Sequence, residues 1–294
     1  MRLDVQNLGK QFKSGQWGLR GCSFAFDGGV VGVVGPVGSG KTTLLRLLAT
    51  VMLPTEGQAL WDGTDVRRQL GHVRRNLGYL PQDFGVYTSV PARQFLAYLA
   101  ATKGLAGRQI CQRVDQILSD LGLSECAGQV LSRFSPEMRR RVGLAQALLA
   151  DPLVLLIDEP GAGLSPRDWT TAQTWLFRAT KVLNANRCLV LIATNDIAQI
   201  ADLASAFLLL AEGQVIAQTT ADEMLRRARS RVWQVEVDQT IFSELRSRYL
   251  ISGLEREQNL VRLRIISDVQ PLPSAVQSDP TLTDAYYGWI GGRQ

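Results

Sequence analysis

Short apolar runs recur at residues 30–34, 153–157, 189–193 and 207–210, each bounded by turn-forming or polar residues. Runs of this length and character predict strands, and the consecutive large aliphatics Leu153 to Ile157 predict one buried on both faces of a parallel sheet. Residues 2–8, 59–61 and 214–218 are strand-like stretches, the first two among glycine-bearing turns. Residues 43–52 predict a helix that Pro54 ends, and residues 92–149 are helical. Within 107–121 the positions Ile110, Val114, Ile117, Leu118 and Leu121 form an i, i+4, i+7, i+8, i+11 stripe, the signature of a core-facing helix. The pattern then changes. The stretch 225–231 (LRRARSR) is basic and linker-like, a solvated helix end; 233–238 alternates as a half-buried strand; 241–249 predicts a helix, 260–266 a strand, 271–280 a loop and 282–290 a closing helix. These residues predict a small α+β appendix after a larger α/β domain, with the boundary near 225/226.

Two of the predicted strands carry chemistry at their C-terminal ends. Residues 35–42 read GPVGSGKT, a phosphate-binding loop placed between a buried strand and a helix. Backbone N–H groups of Gly38, Ser39 and Gly40 can wrap a triphosphate because no side chains block the approach. Lys41 reaches toward β and γ phosphates, and Thr42 offers its hydroxyl to Mg²⁺. Gly35, Pro36, Val37 and Thr43 complete the expected cradle. The strand 153–157 ends in Asp158 and Glu159. A carboxylate there sits at the sheet edge where ligands bind. Asp158 is expected to hold Mg²⁺ through water, and Glu159 is the candidate base that polarises an attacking water.

Composition narrows the class. The chain has 294 residues, 46% hydrophobic, with formal net charge +5. No run approaches the roughly 20 apolar residues of a membrane span, and no secretory signal is expected at the N-terminus. The four cysteines, Cys22, Cys111, Cys126 and Cys188, lack metal-ligand spacing and read as thiols of a reducing cytosol. The charge is mild for this length, and no nucleic-acid partner is expected. Lone His72 has no companion ligands.

The order of short motifs resembles the ATP-binding subunit of an ATP-binding-cassette (ABC) transporter, over about residues 1–225. Residues 77–82 (LGYLPQ) look like the strand leading into the family's Q-loop, GAGLSP at 161–166 occupies the D-loop position, and IATND at 192–196 falls where the switch histidine belongs. The resemblance implies a P-loop NTPase fold with an antiparallel β part and a helical subdomain at about 91–150. It implies Gln82 as ligand of Mg²⁺ and of the attacking water, and Phe12, in KQFK, as the aromatic that stacks on adenine. It implies ATP and Mg²⁺ as cofactors, a second cassette in a homo- or heterodimer, and membrane-spanning subunits that dock near residues 82–100. The cassette would then sit on the inner face of the cell membrane. A small appendix, with PTLTDAY at 280–286, is similar to that of some bacterial exporter subunits.

The chain departs from the family at three places. Where LSGGQ or LSGGM is usual, it has Phe134, Ser135, Pro136, Glu137 and Met138. Pro136 removes a backbone N–H from a patch that donates to phosphate. Glu137 adds a negative charge that, at about 5 Å and an effective dielectric of 20, costs on the order of 3 kcal/mol per like-charge pair before screening. For the helix the change is favourable, with Ser135 as N-cap, proline at N1 and glutamate in the first turn. Asn195 stands at the switch position, where it can donate a hydrogen bond but cannot carry a proton. Ser165 replaces the D-loop aspartate. These departures predict weak hydrolysis; the alternative is an ATP-binding structural or regulatory subunit paired with an active partner.

Overall fold

The computed structural model describes residues 1–85, 89–183, 188–257 and 260–291, which fold as two compact units. The first comprises Met1–Asn195 and Asp202–Gln218, the second Asp196–Ala201 and Thr219–Gln294. In the first unit the strands are β1 (Leu3–Gln11), β2 (Trp17–Phe26), β3 (Gly29–Val34), β4 (Glu56–Trp61), β5 (Thr64–Asp65), β6 (Leu77–Leu80), β7 (Val154–Asp158), β8 (Leu189–Thr194), β9 (Ala206–Ala211) and β10 (Gln214–Thr219). Its helices are α1 (Lys41–Leu48), α2 (Leu70–Arg75), α3 (Ala92–Thr102), α4 (Arg108–Asp120), α5 (Pro136–Leu148) and α6 (Pro166–Val182).

Two sheets share this unit. One runs β2-β1-β4-β5 with antiparallel pairing. The other runs β10-β9-β3-β8-β7-β6, and its β9-β3, β3-β8, β8-β7 and β7-β6 pairs are parallel. The parallel strands are continuous apolar runs because both faces are covered. Val31 and Val33 pack with Leu44, Leu45 and Leu48 of α1 and with Leu156, Leu191 and Leu208 in one core. The register Asp158↔Ala193 brings the C-terminal ends of β7 and β8 side by side. Those ends and the loop after β3 form the rim on which chemistry can be built.

The stripe expected at 107–121 lies on α4, where Val114, Ile117 and Leu118 are buried. Helix α6, 17 residues long, has no counterpart in the elements predicted from pattern. Ser165 caps it by accepting from the Asp168 N–H, and Pro166 occupies its first turn.

The second unit contains α7 (Ala221–Ala228), β11 (Val232–Val237), α8 (Gln239–Arg248), β12 (Leu250–Glu257), β13 (Leu260–Ile266), β14 (Val276–Gln277) and α9 (Leu282–Gly291). Its sheet runs β12-β13-β11-β14. Val235, Val237, Phe242, Leu245, Leu263 and Ile265 form its core. The appendix is thus α+β as expected, and 225–231 is the end of a helix with Arg226, Arg227 and Arg229 exposed. Thr220 caps α7 through the Glu223 N–H, and Met224 and Ala228 are buried. The PTLTDAY stretch is structural: Asp284, 1% exposed, accepts from the Thr281 amide and hydroxyl, from Ser252 and from Arg264. Among the described residues no helix is long and apolar enough to cross a membrane.

Candidate nucleotide site

The loop between β3 and α1 is shaped by its glycines. A Cβ on Gly35 would lie 2.3 Å from the Leu210 carbonyl oxygen and 2.4 Å from Ser39 Oγ. Gly40, the N-cap of α1, has φ +101°, and a Cβ there would lie 2.5 Å from the Gly18 carbonyl oxygen. No other residue type fits either place. The loop therefore closes tightly before the α1 N-terminus, with the Ser39 N–H donating to the Pro36 carbonyl at 3.1 Å, and a helix N-terminus so placed favours an anion.

Lys41 points back into this loop. Its Nζ donates to the carbonyls of Gly35 at 2.8 Å and Pro36 at 3.1 Å, and lies 3.4 Å from Glu159 Oε1. Both side chains of that ion pair are largely buried. Next to it, the Thr42 hydroxyl donates to Asp158 Oδ1 at 3.2 Å. Asp158 is fully buried, and its Oδ2 has no hydrogen-bond partner among the described residues; the same holds for buried Ser39 Oγ. Burial, reinforced by the neighbouring Glu159 carboxylate, pushes the Asp158 acid above the usual carboxylate range. Orphaned oxygens beside a threonine hydroxyl fit a hard divalent cation and its phosphate ligands.

Glu159 sits just beyond β7 with φ +46°, a left-handed conformation that a residue with a side chain adopts at a cost of about 1–3 kcal/mol. Its N–H donates to the Ala193 carbonyl at 2.9 Å. Its own carbonyl accepts from the Ala162 N–H and from Arg140 Nη1 at 3.0 Å.

A cavity of about 220 Å³ joins Phe12 to Gly38, Ser39, Gly40, Lys41, Thr42 and Thr43. It brings the aromatic implied by resemblance to the phosphate loop. Gln16, Trp17 and Gly18 also line it and were not singled out in sequence. Trp17, with Arg20 5.5 Å from its ring centroid, offers a second aromatic surface; its place in the β1–β2 hairpin was the available signal. Val37 and Pro36 are exposed on the loop's outer side.

Gln82 is placed elsewhere. It is exposed and lines a separate cavity of about 470 Å³ with Asp83, Phe84, Pro136, Arg140 and Leu164, because β6, the strand before it, lies outermost in the sheet. Asn195 is exposed, directly after buried Thr194 at the end of β8. Of the segment 82–100 expected to meet membrane subunits, residues 86–88 lie outside the described residues.

The signature region corrects one expectation. Ser135 caps α5 by accepting from Met138 N at 3.1 Å, with Pro136 at N1, as predicted. Glu137, however, is 5% exposed. Its Oε1 accepts from Arg141 Nε at 2.9 Å, Arg141 Nη2 at 2.6 Å and Trp175 Nε1 at 2.9 Å. A carboxylate so placed is turned into the packing of α5 on α6 and neutralised there, so it does not set a free charge before a neighbouring phosphate.

A glycine loop, a lysine, a threonine hydroxyl and paired acids at adjacent strand ends define a P-loop nucleotide-binding domain. The profile of the ABC transporter family matches residues 19–162. The chain is 30% identical over 238 residues to the intermembrane phospholipid transport system ATP-binding protein MlaF of Haemophilus influenzae, covering 79% of this chain and 84% of that one. It is therefore a member of the ABC transporter ATP-binding proteins. It is also 35% identical over 197 residues to the daunorubicin resistance ATP-binding protein DrrA3 of Streptomyces coeruleorubidus, a match spanning 67% of this chain and 61% of that relative. Among solved structures, an ATP-binding subunit of an ABC transporter superposes with a TM-score of 0.68 at 25% identity, covering 77% of this chain and 93% of that one. CbiO1 of Clostridium perfringens, part of the cbiONQ transporter complex, shares the fold at a TM-score of 0.66 and 24% identity, over 84% of this chain and 94% of that one.

Proposed function

We propose that this chain binds MgATP in the 35–43 cradle and couples binding, with slow hydrolysis, to transport through separate membrane-spanning chains. The observation that carries the reading is the convergence of Lys41, Thr42, Asp158 and Glu159 on one rim, with Asp158 Oδ2 left unsatisfied. Phe12 and Trp17 would hold the base; loop amides and Lys41 would hold phosphates; Thr42 and Asp158 would hold Mg²⁺, which supplies charge neutralisation at the phosphates. Glu159 would accept a proton from the attacking water. Gln82 is assigned to the cation and attacking water by resemblance, and reaching them requires movement of the segment after β6.

The inward Glu137 removes the anionic clash that favoured a purely structural subunit. A dimer with a second cassette, on the inner face of the cell membrane, belongs to the same reading. So does docking of membrane subunits near 82–100. A cleft of about 590 Å³ lined by Thr50, Val51, Arg74, Tyr79, Thr102 and Lys103 adds a neighbouring surface, and Val51 and Leu53 expose apolar side chains there or beside it.

The test is titration calorimetry with MgATP on the parent and Lys41→Ala. Removing the charge that faces the β and γ phosphates is expected to weaken binding at least about tenfold, since charge-assisted hydrogen bonds contribute about 1.5–3 kcal/mol. Equal affinity in both proteins overturns the assignment of this loop.

A further inference from the structure

The left-handed turn that carries Glu159 is held from one side by a residue outside the phosphate loop and the strand ends. Arg140, on α5, spans the turn with both arms of its guanidinium. Nη1 donates to the Glu159 carbonyl at 3.0 Å and Nη2 to the Ala162 carbonyl at 2.8 Å. The Ala162 N–H returns to the same Glu159 carbonyl at 3.1 Å, so one carbonyl takes two donors and the turn is closed at both ends.

We propose that Arg140 is a positioning residue for Glu159: its forked contact fixes the strained backbone that aims the carboxylate at Lys41, and ties that backbone to α5. The inference rests on the reading of Glu159 as the base. A φ of +46° persists only where surrounding contacts over-determine it. The Glu159 N–H bond to Ala193 fixes the incoming strand and the Lys41 contact meets the side chain, but the outgoing carbonyl is held by Arg140 and the turn it closes. A planar fork matches two carbonyls about one turn apart as an ammonium cannot. The guanidinium is half-buried between Pro136, Ala162 and Leu164, and burial lowers its pKa despite Asp83, Asp158 and Glu159 nearby. Desolvation of this kind is sustained by the two carbonyls it serves.

Ser135 and Pro136, at the start of α5, stand one turn before Arg140. The fork thus joins the helix that starts at the signature position to the Glu159 carbonyl of the same chain. Arg141, the next residue, instead pairs with Glu137 of the same helix and donates to the Leu121 and Gly122 carbonyls, while Arg140 reaches the turn.

The experiment compares full-length parent, Arg140→Lys and Arg140→Gln in three measurements: MgATP affinity by calorimetry, steady-state hydrolysis, and amide hydrogen exchange. Arg140→Gln is expected to lower kcat about 10–100-fold, the loss expected for a base misplaced by about 1 Å, with KM and affinity within about twofold. Arg140→Lys, which keeps charge but not the fork, should fall between. Amide exchange of 160–164 should accelerate in Arg140→Gln while 41–48 stays protected. Unchanged kcat in Arg140→Gln, or unchanged exchange at 160–164, overturns the proposal. So does a parallel fall of kcat, affinity and protection at 41–48, which marks general loosening. Should the parent bind MgATP without measurable hydrolysis, the role of Glu159 is decided by Glu159→Gln in the Asn195→His background. The clamp is then decided by exchange alone, faster at 160–164 supporting it and unchanged overturning it.

Discussion

Trp175 Nε1 on α6 donates to Glu137 Oε1 on α5 at 2.9 Å, sharing that oxygen with Nε and Nη2 of the Arg141 guanidinium. An indole N–H and an arginine fork meet on one buried carboxylate oxygen, and removing that carboxylate leaves a largely buried guanidinium without its counter-charge, with the Leu121 and Gly122 carbonyls as its remaining acceptors. Breaking such a pair costs about 3–5 kcal/mol. Glu137→Ala is therefore expected to lower unfolding stability by about 3 kcal/mol, and Glu137→Gln by less because an acceptor for Trp175 remains. The paired replacement Pro136→Gly with Glu137→Gly should destabilise the chain rather than ease closure over nucleotide. Urea unfolding gives the first quantity and light scattering with ATP, at low and high salt, the second. Stronger ATP-dependent dimerisation of the double variant at low salt alone would show the carboxylate facing phosphate after all.

Asp158 gives a pH dependence of opposite sign to an ordinary salt-bridged acid. Its folded pKa is raised by burial and by Glu159, so the folded chain holds the proton more tightly than the unfolded one. Stability from this group is full below the ordinary carboxylate pKa, about 3.9, and is lost as pH rises through the raised folded value. Asp158→Asn removes the loss. Without nucleotide, the variant should therefore gain on the parent in melting temperature as pH rises through that window, while binding MgATP more weakly. A melting difference that is flat across the same pH range contradicts the assignment of a buried, uncompensated carboxylate.

Much of this arrangement was legible in the pattern of residues. The apolar runs 30–34, 153–157, 189–193 and 207–210 match β3, β7, β8 and β9 to within a residue, because strands covered on both faces need no alternation to be recognised. Helix α6 was hidden by its threonines, Thr170, Thr171 and Thr174, whose hydroxyls bond back to the preceding turn and whose helix propensity is low. Ala172, Trp175, Leu176 and Ala179 nevertheless form its buried face. Strand β12 was hidden by a register shift between Ile251 and Gly253 that breaks the period of two. At the site, the loop and the acids were readable because their chemistry is local in sequence. The direction of Glu137 was not, since its partner Trp175 lies 38 residues away.

Asp284 carries the contrary pH signature in the second unit. Burial alone would raise its pKa, but hydrogen bonds from Arg264, Ser252 and Thr281 outweigh it and hold the acid below the usual range. Stability from this group is present above the unfolded carboxylate pKa and lost as pH falls through the depressed folded value. Asp284→Asn leaves Arg264 without a counter-charge and should destabilise this unit by about 2–4 kcal/mol at neutral pH, discounted from the roughly 3–5 kcal/mol of a broken buried pair because Arg264 is one quarter exposed. Hydrogen exchange should report the loss in β12, β13 and α9. Protection in those elements equal to the parent would mean the network is not what holds α9 to the sheet.

Asn195 tests the proposal that Glu159 acts as a base. It stands exposed at the end of β8, one strand from Asp158, in the place where the family's resemblance puts a histidine. An amide can donate one hydrogen bond toward a phosphate oxygen but cannot take a positive charge. Loss of one preorganised donor to a transition state typically costs about 10²–10³-fold in rate, so Asn195→His is expected to raise turnover by at least about tenfold if Glu159 remains poised. The rise should appear in kcat, with KM for MgATP little changed, because the added interaction develops with the transition state. Glu159→Gln in both backgrounds supplies the control. If it leaves hydrolysis unchanged in parent and Asn195→His alike, the measured turnover comes from another group or another chain, and the base assigned at the end of β7 is wrong.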